Sequence, residues 1–184
     1  FLLNKYEISD AIIHQLPYVS SVSINRKLPD TLLIEVTDSN QGGVIAQNGV
    51  YWVVSSSGKL LGERKEAGSG ALIQGLKLEK PKAGEQMKPT EGEDRKADQL
   101  LTLFGVLEEK GMLQGVGSID FSQDGVILME YAERYTVKFR YGADFSYKLT
   151  YLNAVMEALE EQGDQRSGTI DMTNEDGRAH FIPA

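Results

Sequence analysis

The sequence predicts an α+β protein: a short helix with two strands, then a larger antiparallel β part that carries two helices. Three observations carry this. Apolar residues alternate with polar ones in many short runs, Asn-Gly, Ser-Gly and Asp-Gly pairs punctuate those runs as hairpin turns do, and two longer stretches repeat their apolar residues at spacings of three and four. With 184 residues, 41% of them hydrophobic and 25% charged, the chain has ordinary globular composition and enough length for a substantial core. A breaker cluster, Ser39-Asn40-Gln41-Gly42-Gly43, divides it into a small unit at 1–41 and a large one at 42–184.

In the small unit Ser9 is placed to cap a helix of about two turns carrying Ile12, Ile13 and Leu16, which Pro17 stops. Val19, Val22 and Ile24, then Leu32, Ile34 and Val36, give two strands joined through Arg26-Lys27-Leu28-Pro29-Asp30. So short a unit buries too little apolar surface to fold alone, and a completing segment is expected upstream of Phe1. In the large unit, strands at 44–46, 50–54 and 59–61 form a meander around Asn48-Gly49 and Ser57-Gly58. Residues 76–94 read as a surface connection. A helix over 93–110 presents Ala97, Leu100, Leu101, Phe104 and Leu107, and Gly111 ends it. Strands follow at 117–121, 126–131 and 135–141, the last with Tyr135, Val137, Phe139 and Tyr141 on one side, as in a sheet with one covered and one wet face. The cleanest helix runs over 144–162, with Asp144 as cap, a stripe of Phe145, Leu149, Leu152, Met156 and Leu159, and Gly163 as stop. Strands at 168–172 and 178–182 flank a turn, and Pro183 closes the pattern.

The inventory for catalysis is thin. There is no cysteine, hence no disulfide, thiol nucleophile or Cys-held metal. No nucleotide-binding glycine motif occurs, and His14 and His180 lack a nucleophile or metal-binding context. The segment Asp171 to Gly177 fails as a calcium loop, because its glycine stands at position 7 and Ile182 occupies position 12. No cofactor is implied. A net charge of −8 offers no grip on nucleic acid, and residues 157–184 alone hold seven acidic against two basic residues. A cell-wall glycan-binding module, or a hydrolase using paired carboxylates, stays open as the alternative. The interaction reading rests on the last strand: if nothing covers it, its unpaired N–H and C=O groups can accept a partner strand. A central or self-covered strand is the competing reading.

Leu16-Pro17-Tyr18-Val19, Val22, Ile24, Arg26, Pro29 and Leu32-Leu33-Ile34-Glu35-Val36 resemble the second half of the POTRA domain of the FtsQ/DivIB family of bacterial cell-division proteins. Val44-Ile45-Ala46, Tyr51-Trp52-Val53-Val54 and Gly58-Lys59-Leu60-Leu61 look like the opening of that family's β domain. The final helix, Gly168-Thr169-Ile170-Asp171-Met172 and Gly177-Arg178-Ala179-His180-Phe181 resemble its ending. The resemblance covers nearly the whole chain and is closest to the DivIB branch, although the chain starts inside the POTRA-like module and lacks the family's upstream membrane helix. It implies the extracytoplasmic part of a single-pass, type II membrane protein at the division septum, without catalytic activity. The partners it implies are FtsL-like and DivIC/FtsB-like bitopic proteins and, through them, the septal penicillin-binding protein. By motif position, the partner-binding residues are expected at Asn174, Glu175, Gly177, Arg178, Ala179, His180, Phe181 and Ile182.

Overall fold

A computed structural model describes residues 4–163, 166–174 and 179–184. The chain opens with α1 (Lys5–Gln15), which lies on the antiparallel pair β1 (Val19–Lys27) and β2 (Thr31–Asp38). The helix is longer than the spacing predicts. It starts after Asn4, so Ser9 lies inside it, and the Ser9 hydroxyl donates to the Val22 carbonyl instead of capping a turn. Leu32, Leu33, Ile34 and Val36 of β2 remain about half exposed.

The other strands form one nine-stranded sheet: β3 (Gln41–Gln47), β4 (Val50–Ser55), β5 (Leu60–Arg64), β6 (Ala71–Gln74), β7 (Val116–Asp120), β8 (Val126–Tyr131), β9 (Tyr135–Arg140), β10 (Gly168–Asp171) and β11 (His180–Pro183). Their spatial order is β11-β10-β9-β8-β7-β6-β3-β4-β5. Two helices cross over this sheet, α2 (Asp94–Glu109) between β6 and β7, and α3 (Phe145–Glu161) between β9 and β10. The α+β class holds and the sheet is mostly antiparallel, with parallel pairs β3·β6, β6·β7 and β9·β10. The two helices explain two of the three, since a parallel neighbour is reached only by a long return connection.

Three local expectations change. Gln41, Gly42 and Gly43 belong to β3 and do not interrupt the chain. A Cβ on Gly43 would strike the Ala71 carbonyl, and one on Gly42 would come within 2.7 Å of the Phe104 ring, so these glycines admit close packing. The strand β6 was masked by its short length and by the Gly-Ser-Gly before it. Residues 76–94 are not merely a surface connection, because Leu76, Leu78 and Met87 are buried in the core.

That core fills the face beneath α2 and α3. Ile45, Ile73, Ile119, Ile127, Met129, Val137, Phe139 and Ile170 of the sheet meet Leu100, Leu103, Phe104 and Leu107 of α2 and Phe145, Leu149 and Leu152 of α3. The Asp144 carboxylate accepts from the Tyr147 N–H at 3.0 Å and caps α3 as its position predicts. On the opposite face, Val44, Val53 and Leu61 make a small cluster with Tyr51, Ala67 and Leu72, and toward β11 the face is mostly polar apart from Leu128 and Ile182.

Candidate partner-binding edge

A sheet this long has two edges, and the molecule treats them differently. At β5 the Leu60 N–H donates to the Glu85 carbonyl at 2.8 Å and the Leu60 carbonyl accepts from Gly84 at 2.7 Å, with Lys59 bridged to Gln86. The segment around 84–86 thus covers the start of that edge, at Lys59 and Leu60. At the other end β11 pairs with β10 alone among the described residues.

The register of β11 decides what the open side offers. Thr169 stands opposite Ile182 and Asp171 opposite His180, and the Ala184 N–H donates to the Ser167 carbonyl at 3.0 Å. Residues 180, 182 and 184 therefore turn their backbone groups toward β10, and alternation turns those of Phe181 and Pro183 outward. Pro183 has no N–H, so its outward position costs no ladder bond. The edge offers one donor and one acceptor at Phe181 and one acceptor at Pro183, with Ala179 at the same parity. At about 1 kcal/mol net per hydrogen bond, three such bonds fall short of the ~4 kcal/mol that holds even a millimolar complex. Side chains must supply the rest.

Of the expected site residues, Glu175, Gly177 and Arg178 lie outside the described residues. Ala179 and Phe181 are half-buried against the core, whereas His180 and Ile182 stand exposed on the opposite face of the sheet, Ile182 at 53% exposure. The Phe181 ring meets Tyr135 edge-on at 6.2 Å, with the Arg166 guanidinium 6.0 Å from its centre and Arg134 4.9 Å from that of Tyr135. Asn174 is exposed, and its carbonyl accepts from the Lys148 ammonium at 3.0 Å.

Several contributors escape a reading of motifs. Gly168 gives β11 its seat: a Cβ there would collide with the Ile182 carbonyl and lie 2.8 Å from the Phe181 ring and 3.0 Å from the Pro183 Cα. Lys148, 9% exposed, sits on the buried face of α3, and a lysine three residues after Phe145 and four before Leu152 is the signal that could have revealed it. Asp171 accepts from the Thr173 N–H at 2.9 Å and hydroxyl at 2.7 Å, forming the turn by which the chain leaves β10. Burial works to raise the Asp171 carboxyl, but these two bonds, with Lys138 and His180 on either side, hold it below the ordinary carboxylate value.

Two larger clefts accompany the edge. One of about 550 Å³ lies between α3 and the turn after β10, lined by Arg95, Arg140, Tyr141, Lys148 and Asn174, with Asp144 as its carboxylate. The other, of about 460 Å³, lies by Asn40 and Gln41 and has Glu108 as its carboxylate. A glycosidase needs two facing carboxyl groups; each of these clefts holds one, and a smaller cleft of about 260 Å³ on the other face of the sheet holds two, Asp120 and Glu130. Among the described residues no three His, Asp or Glu side chains gather as a metal site, and no helix is long and apolar enough to cross a membrane.

Residues 1–38 match the family of FtsQ-type POTRA domains. The cell division protein DivIB of Clostridium botulinum is 32% identical over 93 residues, which are 50% of this chain and 35% of that protein, so the chain spans about a third of the relative's length. Among solved structures, the major extracytoplasmic domain of the trans isomer of DivIB from Geobacillus stearothermophilus is 17% identical with a TM-score of 0.42, covering 68% of this chain and 97% of that one.

Proposed function

For a chain that belongs to the FtsQ/DivIB family of bacterial cell-division proteins, we propose that it serves division as a non-catalytic scaffold, its open β11 edge receiving a strand from a DivIC/FtsB-like partner. In this reading the chain lies outside the cytoplasmic membrane at the septum, as part of a single-pass type II protein. FtsL-like and DivIC/FtsB-like proteins are its partners, and the septal penicillin-binding protein acts downstream. Residues 1–41 form the end of a POTRA-like module and 42–184 the β domain.

The observation that supports the site is the contrast between the edges: residues around Glu85 pair with the start of β5, whereas β11, paired with β10 alone among the described residues, presents outward backbone groups beside exposed His180 and Ile182. An incoming strand would place alternate side chains over Phe181 and Ala179 on one face and beside Ile182 on the other. Asn174, Glu175, Gly177 and Arg178, which precede β11 in the sequence, would flank it.

Ile182→Asp is the informative test. Its side chain is exposed and its backbone is committed to β10, so the substitution leaves folding nearly unchanged. Titration calorimetry with a DivIC-like ectodomain should show affinity falling at least about tenfold, or about 1.4 kcal/mol, with the urea midpoint retained. Unaltered affinity would remove β11 as the binding edge.

A further inference from the structure

The nine-stranded sheet reaches across to the amino-terminal helix and hairpin through one buried cation. Lys59, 8% exposed, extends its ammonium to the carbonyls of Ile13 at 3.1 Å and Val19 at 3.0 Å. No carboxylate of the described residues pairs with it.

Both acceptors are carbonyls that their own elements leave unsatisfied. In α1 the Ile12 carbonyl receives the Leu16 N–H at 2.9 Å. The Ile13 carbonyl would receive the N–H of residue 17 by the same rule, but residue 17 is proline and has none. Val19 stands at the irregular start of β1, where the register with β2 shifts between Val19 and Ser21 and the ladder is interrupted. Leaving either carbonyl buried without a donor would cost about 1–3 kcal/mol. The ammonium also meets the negative end of the α1 dipole, where a cation is favoured.

The lysine is held firmly at its base. Its N–H donates to the Ser55 hydroxyl at 2.9 Å, its carbonyl accepts from the Ser55 N–H at 2.9 Å, and Gln86 bridges it on the other side. Burial pushes the ammonium down from the usual lysine value, a cost that the two carbonyls offset. Apolar burial in this unit is small: α1 buries none of its side chains, and only Val19 and Ile24 of β1 are buried.

We propose that Lys59 is a strut that fixes the orientation of the α1–β1–β2 unit against the nine-stranded sheet, by satisfying two carbonyls which that unit cannot satisfy itself. The role is independent of partner binding at β11. Besides the short Ser39-Asn40 link, Lys59 ties the two units together, so conditions that withdraw it loosen the hairpin while the sheet stays folded.

The chain has no cysteine, so spin labels go only where they are placed. With labels at Asp10→Cys and Glu109→Cys, both exposed positions, Lys59→Met should at least double the width of the distance distribution. A control pair at Glu109→Cys and Gln123→Cys should keep its width. An unchanged width for the first pair overturns the strut, and so does equal broadening of the control, which would make Lys59 a folding residue of the sheet. In the unsubstituted chain, pulse acetylation should modify Lys59 at least tenfold more slowly than exposed Lys65, and equal rates would also overturn it.

Discussion

Gly168 and Phe181 divide the work at the open edge between them. Phe181 leaves its N–H and C=O outward on the proposed binding edge while its ring packs inward on Tyr135, so a change of its side chain would perturb the fold and that edge together. Gly168 touches no partner, yet it lets β11 approach β10, because the Gly168↔Pro183 pair is of the narrow kind that brings two backbones closest. Gly168→Ala forces its methyl against the Ile182 carbonyl and the Pro183 Cα, which are backbone and cannot rotate away. The expected result is a loss of about 1–3 kcal/mol, concentrated in β11. Amide exchange should speed up at Ile182 and Ala184, while the amides of β8 and β9 stay protected. Uniform deprotection across the sheet would mean that β11 is integral to the core and not an appended edge.

Among the elements, α2 shows how carboxylates hold a helix at both ends. Glu93, just before its first turn, accepts from the Lys77 N–H at 2.5 Å and from the Lys96 ammonium at 3.2 Å. Burial works to raise it, and these partners hold it below its usual value. Glu108, near the other end, is held low by bonds from Ser56 and Asn40. A carboxylate there opposes the helix dipole, so those donors are what make it acceptable. Because both folded-state values lie below the unfolded one, the folded state binds fewer protons between them. The stability is complete above the unfolded value of 4.5 and drains as pH falls through the folded values. The urea midpoint should therefore fall between about pH 5 and pH 3, with a shallower fall in Glu108→Gln; identical profiles would deny Glu108 this part. The apolar stripe of α2 was largely legible in the sequence, since Ala97, Leu100, Phe104 and Leu107 are buried, although Leu101 is only partly so and Leu103, outside the expected stripe, is fully buried. So was the alternation of β9, with Tyr135, Val137 and Phe139 inside. What period and turn signals miss are effects of approach: glycines at 42 and 43 that punctuate on paper but pack against Phe104 and Ala71, and a four-residue β6 visible only through its parallel neighbours. Of the edge, the strand was legible and its seat was not. Gly168 matters for a backbone three-dimensionally beside it, and Lys148 for a carbonyl 26 residues away.

At the scale of the whole molecule, charge and topology converge on one end. Of the net −8, residues 157–184 carry −5, and within that stretch Glu157, Glu160 and Glu161 stand exposed on the last turns of α3, just before β10 and the edge strand. Like charges around an open edge discourage two copies from pairing there, and under the proposed function the same field would draw a basic segment of a DivIC-like partner toward it. Steering of this kind acts on encounter more than on residence, since salt screens charges separated by more than about 8 Å at physiological ionic strength. The association rate with the partner ectodomain should thus fall roughly tenfold as salt rises from about 50 mM to about 500 mM, while the dissociation rate barely moves. Replacing Glu157, Glu160 and Glu161 together by glutamine should flatten that dependence without touching any backbone group of β11. If association proves indifferent to salt in the unsubstituted chain, the acidic end has no steering role, and recognition at the edge must rest on the outward groups of Phe181 and Pro183 and on the exposed Ile182 side chain alone.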